Sequence, residues 1–249
     1  FSWRYQLPFL AERGYTVWAP NLRGYGKSSR PKGRKHYTIP RLIDDVVALT
    51  EVAQSEGLSP DLLVAHDWGG LIAWASLLTD AVHFRRFIPM NIPHPGIFRT
   101  RMWRPRQFLR SWYIFFFQLP GIPERLLKRD AADRIRQIFY ESAIDKSRFT
   151  DDVLDHYAAQ ALEEGALSAM LNYYRAASPS MYRLKLKAQL EIPTLLIWGE
   201  EDTALGLELV PGTERLVTDF TYRPIPGVSH WVQQEAPEKV NKIIADWLH

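Results

Sequence analysis

Three side chains in this chain have the types and spacing that nucleophilic hydrolysis requires. Asp67 lies in Leu62-Leu63-Val64-Ala65-His66-Asp67-Trp68-Gly69-Gly70, Asp202 in Gly199-Glu200-Glu201-Asp202, and His230 in Gly227-Val228-Ser229-His230. Ala65 and Gly69 flank Asp67 two positions away on either side. That is the small-x-nucleophile-x-small pattern of a sharp strand-to-helix turn, which lifts one side chain above a sheet. A carboxylate is a poor acyl-transfer nucleophile, but it displaces a leaving group at saturated carbon and leaves an ester on the protein itself. Hydrolysing that ester takes a base and a group to orient it. His230 and Asp202 follow in the chain order nucleophile, acid, histidine. Taken singly, each has an ordinary explanation: Asp67 as a helix N-cap, Asp202 as a turn residue, His230 as a surface histidine. Together, each just past an expected strand, they point to catalysis.

The elements that must position them read as strands alternating with helices. Leu62–Ala65 is a short apolar run suited to a strand buried on both faces, and Leu71-Ile72-Ala73-Trp74-Ala75 opens the helix after it. Further strands are expected at Tyr15–Ala19, Phe84–Met90, Thr194–Trp198 and Phe220–Ile225. Trp3–Arg13 reads as a helix closed by Gly14. Thr38 can cap a helix with Pro40 in its first turn and an apolar stripe of Leu42, Val46, Leu49 and Ala53. Between Gly96 and Lys187 there are helical patterns only: one opened by Pro123, one capped by Thr150, and one with Leu167, Met170, Leu171 and Tyr174 on a single face. A last helix spans about Pro237–Leu248. Alternation interrupted in this way predicts an α/β fold, a mostly parallel sheet with helices on both faces and an all-helical lid inserted after the strand at 84–90. The core would then be residues 1–95 and 188–249 and the lid residues 96–187. In open α/β sheets ligands bind at the C-terminal ends of the strands, where Asp67, Asp202, His230 and His94 all fall.

Composition narrows the function classes. The 249 residues are 46% hydrophobic and 24% charged, with a net charge of +3 and no cysteine. There is therefore no disulfide framework, thiolate nucleophile or cysteine metal site, which fits a cytoplasmic location. No apolar run approaches the roughly 20 residues of a membrane span. Arg99, Arg101, Arg104, Arg106 and Arg110 cluster in one stretch. Without a nucleic-acid motif beside them they read as a solvated basic face, the alternatives being contact with nucleic acid or with an anionic surface.

His66-Asp67-Trp68-Gly69-Gly70, Trp198-Gly199-Glu200-Glu201-Asp202 and Gly227-Val228-Ser229-His230-Trp231-Val232-Gln233-Gln234-Glu235 resemble the three catalytic motifs of α/β-hydrolase-fold epoxide hydrolases. Phe1-Ser2-Trp3-Arg4-Tyr5-Gln6-Leu7-Pro8 and Leu22-Arg23-Gly24-Tyr25-Gly26 are similar to that family as well. The resemblance implies a nucleophile at Asp67, a base at His230 oriented by Asp202, and two lid tyrosines that hold the epoxide oxygen. Tyr113, in Tyr113-Ile114-Phe115-Phe116-Phe117, matches the first and Tyr174 the second, with the adjacent Tyr173 as a competitor. Opening a strained ring releases an alkoxide, and phenols of pKa about 10 can donate a proton or hydrogen bonds to it at neutral pH. The backbone N–H of Trp68 is the expected oxyanion donor. His94, Trp112, Phe115, Phe117 and Trp231 are candidate pocket residues, and Trp103 adds to the aromatic supply.

The expected partners are a small apolar epoxide and water, with no metal or organic cofactor, no nucleic acid, no membrane span, and a monomer or homodimer as the assembly. Members of the family carry a His-Gly-x-Pro motif just before the segment matching Phe1-Ser2-Trp3. This sequence starts downstream of it, so these residues are expected to be the later part of a longer chain. Two other readings remain open. A haloalkane dehalogenase would use the same Asp67, Asp202 and His230, with Trp68 holding halide, and a non-catalytic receptor would use the same scaffold for binding alone. A serine esterase is disfavoured because no serine occupies the turn.

Overall fold

Four parallel strands lie side by side in chain order: β1 (Leu62–His66), β2 (Arg86–Met90), β3 (Thr194–Gly199) and β4 (Phe220–Ile225). They belong to a computed structural model that describes residues 1–181 and 183–249, apart from the side chains at 131 and 177–179. The helices are α1 (Gln6–Ala11), α2 (Ile39–Ser55), α3 (Asp67–Leu78), α4 (Pro95–Arg101), α5 (Pro105–Arg110), α6 (Trp112–Phe116), α7 (Ile122–Ser142), α8 (Asp151–Leu162), α9 (Ala166–Met181), α10 (Val232–Glu235) and α11 (Pro237–Leu248). Six of them, α4 to α9, fall between β2 and β3, and no strand interrupts them among the described residues.

The period-2 alternation of the strands sorts their side chains between two helical layers. On one face Phe87, Leu196 and Trp198 pack with Ala73, Trp74, Leu77 and Leu78 of α3. On the other, Ile88, Met90, Leu195 and Ile197 pack with Val240 and Ile244 of α11 and Leu10 of α1. Every residue of β3 is buried, as expected for an interior strand covered on both sides. Each large side chain buried this way stabilises the fold by about 1.5–3 kcal/mol relative to exposure. A third cluster joins Tyr37, Ile39 and Leu42 to Ala169, Tyr173 and Ala176 of α9, tying the helical insertion to the sheet domain.

The structure corrects some local expectations. Residues 15–19 pair with no strand among those described, and β1 is paired only with β2. Tyr15 and Val17 are held by apolar packing against the α11 face of the sheet, without ladder bonds. The first helix covers only Gln6–Ala11. Thr38 and Thr150 occupy N-cap positions, yet neither side chain caps its helix. The amide of Ile39 donates instead to the Ser180 hydroxyl of α9, at 3.0 Å.

Candidate active site

All four strands run parallel, so their C-terminal ends open on one edge of the sheet, and the loops leaving them carry the candidate residues. Asp67 is the first residue of α3, directly after β1, and His66 holds the N-cap position without its side chain capping the helix. Asp67 has φ +48°, a left-handed conformation that costs a non-glycine residue about 1–3 kcal/mol. A helix cap needs no such strain, whereas a turn that lifts the side chain clear of the sheet does. The close approach is at Gly70 rather than Gly69: a Cβ at Gly70 would stand 2.4 Å from Ile92, while one at Gly69 meets only ordinary contact.

His230 Nδ1 lies 2.7 Å from Asp202 Oδ2, and His230 Nε2 lies 3.6 Å from Asp67 Oδ1. The second separation is that of an ion pair, longer than a hydrogen bond. Asp202 is buried and well satisfied. It accepts from the amides of Ala204 and Leu205 at 2.8 Å each and from Asn91 Nδ2 at 2.8 Å. Burial opposes ionisation of both carboxyls, but the charge of His230 and these hydrogen bonds hold Asp202 below the usual carboxylate range. Asp67 is held low by His230, His66 and the Trp68 amide. Burial likewise drives His230 down, and the two carboxylates outweigh it, raising its pKa to about 10. The resting site is thus an imidazolium between two carboxylates.

His66 bonds the carbonyl of His230 through Nε2, at 2.8 Å. A carbonyl only accepts, so the ring carries its proton there, and burial lowers its pKa to about 4. Gly199 lets the His230 loop cross the end of β3, since a Cβ there would lie 2.2 Å from the Ser229 carbonyl.

The helical insertion contributes the opposite wall. Asp67, Trp68, Tyr113 and Tyr174 line one cavity with Leu71, Ile92, Phe98, Met102, Ile114 and Leu205. Its volume is about 90 Å³, against about 10–15 Å³ for one water on the same scale. The rings of Tyr113 and Tyr174 meet edge to face at 5.8 Å, and Tyr174 meets Trp68 at 4.9 Å. Burial, then the Asp67 charge among smaller effects, pushes both phenols well above their ordinary pKa, so they stay protonated. Tyr173 is turned away, donating to the Arg23 carbonyl at 2.6 Å.

Several candidate pocket residues stand elsewhere. Trp112 and Phe115 are exposed, because α6 turns Tyr113 and Ile114 inward and its flanking positions outward, and Trp103 is exposed in the connection between α4 and α5. Phe117 packs behind the tyrosines, 4.9 Å from Tyr174. Trp231 stacks on Phe139 and donates from Nε1 to Ser142. His94 caps α4, its Nδ1 accepting from the Gly96 amide at 3.0 Å. Burial lowers its pKa to about 4.

Two supporting residues carried no sequence signal of their own. Asn91, at φ +41°, gives its amide to Asp202 and accepts from the Gly199 amide at 2.9 Å. Glu235 accepts from the Ser229 amide and hydroxyl with one oxygen and from the amides of Ile144 and Asp145 with the other, joining the His230 loop to the end of α7. Only its place in the motif ending Gln233-Gln234-Glu235 marked it.

Comparison with known proteins places this arrangement in a family. A family model described as the alpha/beta hydrolase fold matches residues 2–237. The chain is 35% identical to the AB hydrolase superfamily protein YfhM of Bacillus subtilis over 100% of its own length and 85% of the relative's. It is 35% identical to epoxide hydrolase 4 of Homo sapiens, spanning 68% of that protein, and 36% identical to epoxide hydrolase 1 of Caenorhabditis elegans, spanning 62%. The crystal structure of the Bacillus megaterium epoxide hydrolase with an inhibitor superposes with a TM-score of 0.85 at 28% identity, covering 99% of this chain and 88% of that one. The chain belongs to the epoxide hydrolase family of the α/β-hydrolase fold.

Proposed function

We propose that this chain hydrolyses epoxides to vicinal diols through an ester formed on Asp67. The observation that carries the proposal is that Asp67 and the protonated phenols of Tyr113 and Tyr174 line a single, largely apolar cavity. A nucleophile for carbon thus faces two donors for the departing oxygen, as epoxide opening demands. The Bacillus megaterium relative has been solved, as a point variant, with the product (R)-3-[1]naphthyloxy-propane-1,2-diol, a vicinal diol on an apolar body. On this reading residues 96–187 serve as a lid over a core of residues 1–95 and 188–249.

The steps balance. An Asp67 oxygen attacks a ring carbon, the carbon–oxygen bond breaks, and a tyrosine gives its proton to the released oxygen. Esterification removes the Asp67 charge, one of the two that raise His230. The imidazolium becomes more acidic and its proton restores the phenol by way of solvent. Neutral His230, oriented by Asp202, then takes a proton from a water that attacks the Asp67 carbonyl carbon. The 3.6 Å gap between His230 Nε2 and the carboxylate puts such a water within reach of both. The Trp68 amide stabilises the oxyanion, and collapse breaks the bond to the substrate oxygen, which takes the remaining proton of the added hydroxyl and leaves as the diol, with Asp67 again a carboxylate and His230 an imidazolium. No metal or organic cofactor takes part.

A single turnover in heavy-oxygen water is expected to give unlabelled diol and label in the Asp67 peptide, read by mass spectrometry. Label in the diol during that first turnover points to direct water attack and overturns the ester. Halide release from chloroalkanes, with no diol from epoxides, would transfer the site to dehalogenation.

A further inference from the structure

The outer face of the stretch from Trp103 through α5 and α6 into α7 combines two features that the catalytic reading leaves unused. Leu109 is 71% exposed, Trp112 63% and Trp103 58%, with Phe108, Phe115, Leu119, Ile122 and Leu126 also exposed. The aromatic part is continuous: Trp103 stacks on Phe108 at 6.2 Å, and Phe108 meets Phe115 at 5.3 Å. Isolated exposed apolar residues need no explanation, but eight large ones within residues 103–126, three of them in a continuous aromatic row, mark an interaction surface. The same stretch is strongly basic. Residues 99–129 hold eight Arg and Lys against the single Glu124, although the whole chain is only +3. Glu124 is itself paired with Arg175 at 2.6 Å. Arg101 and Arg110 are turned inward onto carbonyls of Glu208 and Asp202, and Arg129 is exposed but paired with Asp130 at 3.4 Å, whereas Arg104, Arg106, Arg125 and Lys128 are exposed among the apolar side chains.

Tryptophan, phenylalanine and leucine interleaved with arginine are the signature of a surface that lies in a membrane interface. The apolar side chains enter the acyl boundary and the cations meet anionic headgroups. Nucleic acid would use aromatic rings as stacking platforms, but it has no use for Leu109, Leu119, Ile122 and Leu126. We propose that the exposed face formed by residues 103–129, from the turn before α5 into α7, docks this protein on anionic phospholipid bilayers, without any helix crossing them. No helix among the described residues is long and apolar enough to cross a membrane. The geometry also connects the two faces of the insertion. Met102, Tyr113 and Ile114, on the same stretch of chain, line the cavity, so an apolar solute dissolved in the bilayer would have only this thin layer of helices between it and the site.

The test is sedimentation with sucrose-loaded vesicles. Protein is expected to pellet with vesicles containing phosphatidylglycerol, to stay in solution with pure phosphatidylcholine, and to be released as salt is raised. Arg104→Glu combined with Arg106→Glu should weaken binding by about tenfold or more, since each basic residue near an anionic surface contributes several-fold. Trp103→Gln combined with Leu109→Gln should weaken it through the apolar term with the charge unchanged. Thermal melts of both variants control for folding, and because the four side chains are exposed the melts should match the parent. Failure to pellet with anionic vesicles overturns the proposal, as does binding by both variants as tight as the parent's. So does a concentration-dependent dimer in lipid-free solution that the same substitutions dissolve, which would assign the face to a second copy of the chain. Salt-sensitive RNA binding with no vesicle binding would overturn it too.

Discussion

The two walls of the site, the strand ends that carry Asp67 and its partners and the helices that carry the tyrosines, are built by different physics. On the strand-end wall, directional hydrogen bonds fix the charged groups: Asp202 takes two backbone amides and the Asn91 amide, and His66 grips the His230 carbonyl. On the helical wall, Tyr113 and Tyr174 are held by edge-to-face contacts with each other and with Phe117 and Trp68, at 4.9 to 5.8 Å. A buried charge without partners is very costly, so the first wall must be exact in its hydrogen bonds. A protonated phenol has only to be placed and kept dry. Aromatic contacts of about 0.5–1.5 kcal/mol each beyond area burial achieve that with looser demands on sequence.

The comparison is broken most severely from the charged wall. Asp67→Ala should reduce kcat/KM for an epoxide such as styrene oxide by about 10⁴-fold or more, since nothing else in the cavity can form the ester. His230→Gln should separate the two steps. One equivalent of ester forms and persists as a mass adduct on the Asp67 peptide, and diol release falls by about 10²–10⁴-fold. Steady turnover by His230→Gln without an adduct would mean that water attacks the epoxide directly.

The helical wall should respond in the first step only. Tyr113→Phe and Tyr174→Phe should each slow ester formation by about 10-fold or more, and the double variant by about 10²–10³-fold, the range found when oxyanion donors are removed. Ester hydrolysis, followed as recovery of tryptophan fluorescence, should change little. Equal losses in both steps would show that the phenols shape the cavity rather than serve the leaving oxygen.

This contrast also decides how much the sequence revealed. Asp67, Asp202 and His230 stood out because each must occupy a loop at a strand end within a fixed local pattern, and apolar strand runs of five or six residues are easy to locate. Tyr113 and Tyr174 emerged only through resemblance, since a tyrosine on an apolar helix face reads equally well as core. The pocket was least legible. Trp112 and Phe115 are aromatic like their inward neighbours, and only the rotation of a five-residue helix sends them to solvent. The residues that do line the cavity, Phe98, Met102, Ile114 and Leu205 among them, look like ordinary core in any sequence. Asn91 was hidden for a different reason. Its partners Gly199 and Asp202 lie more than a hundred residues away, and no local pattern encodes such a contact. Residues 15–19 failed as a strand because alternation signals an extended run but does not provide a neighbour to pair with.

The charged wall has a pH signature that the helical wall lacks. In the folded site the pKa of His230 is raised to about 10, against about 6.5 in an unfolded chain. Its contribution to stability is therefore fully present below pH 6.5 and is lost as the pH rises through 10. The melting temperature should fall across that window, and His230→Gln should flatten the fall. Parallel curves for the two proteins would show that His230 is not held as a cation between Asp67 and Asp202.

The smallest effect belongs to Asn91, which touches neither substrate nor reacting atoms. Asn91→Gly keeps the left-handed backbone at φ +41° without strain and removes one of four hydrogen bonds to Asp202. A hydrogen bond to a charged group is worth about 1.5–3 kcal/mol, but here it reaches the chemistry only through Asp202 and His230. The expected loss is about 10-fold in ester hydrolysis, with ester formation unchanged and a shift in the pH profile of the hydrolytic step alone. If Asn91→Gly instead slowed both steps together, with an unaltered pH profile, its amide would be holding the end of β3 in place rather than tuning the acid. The charged wall would then depend on the backbone amides of Ala204 and Leu205 alone.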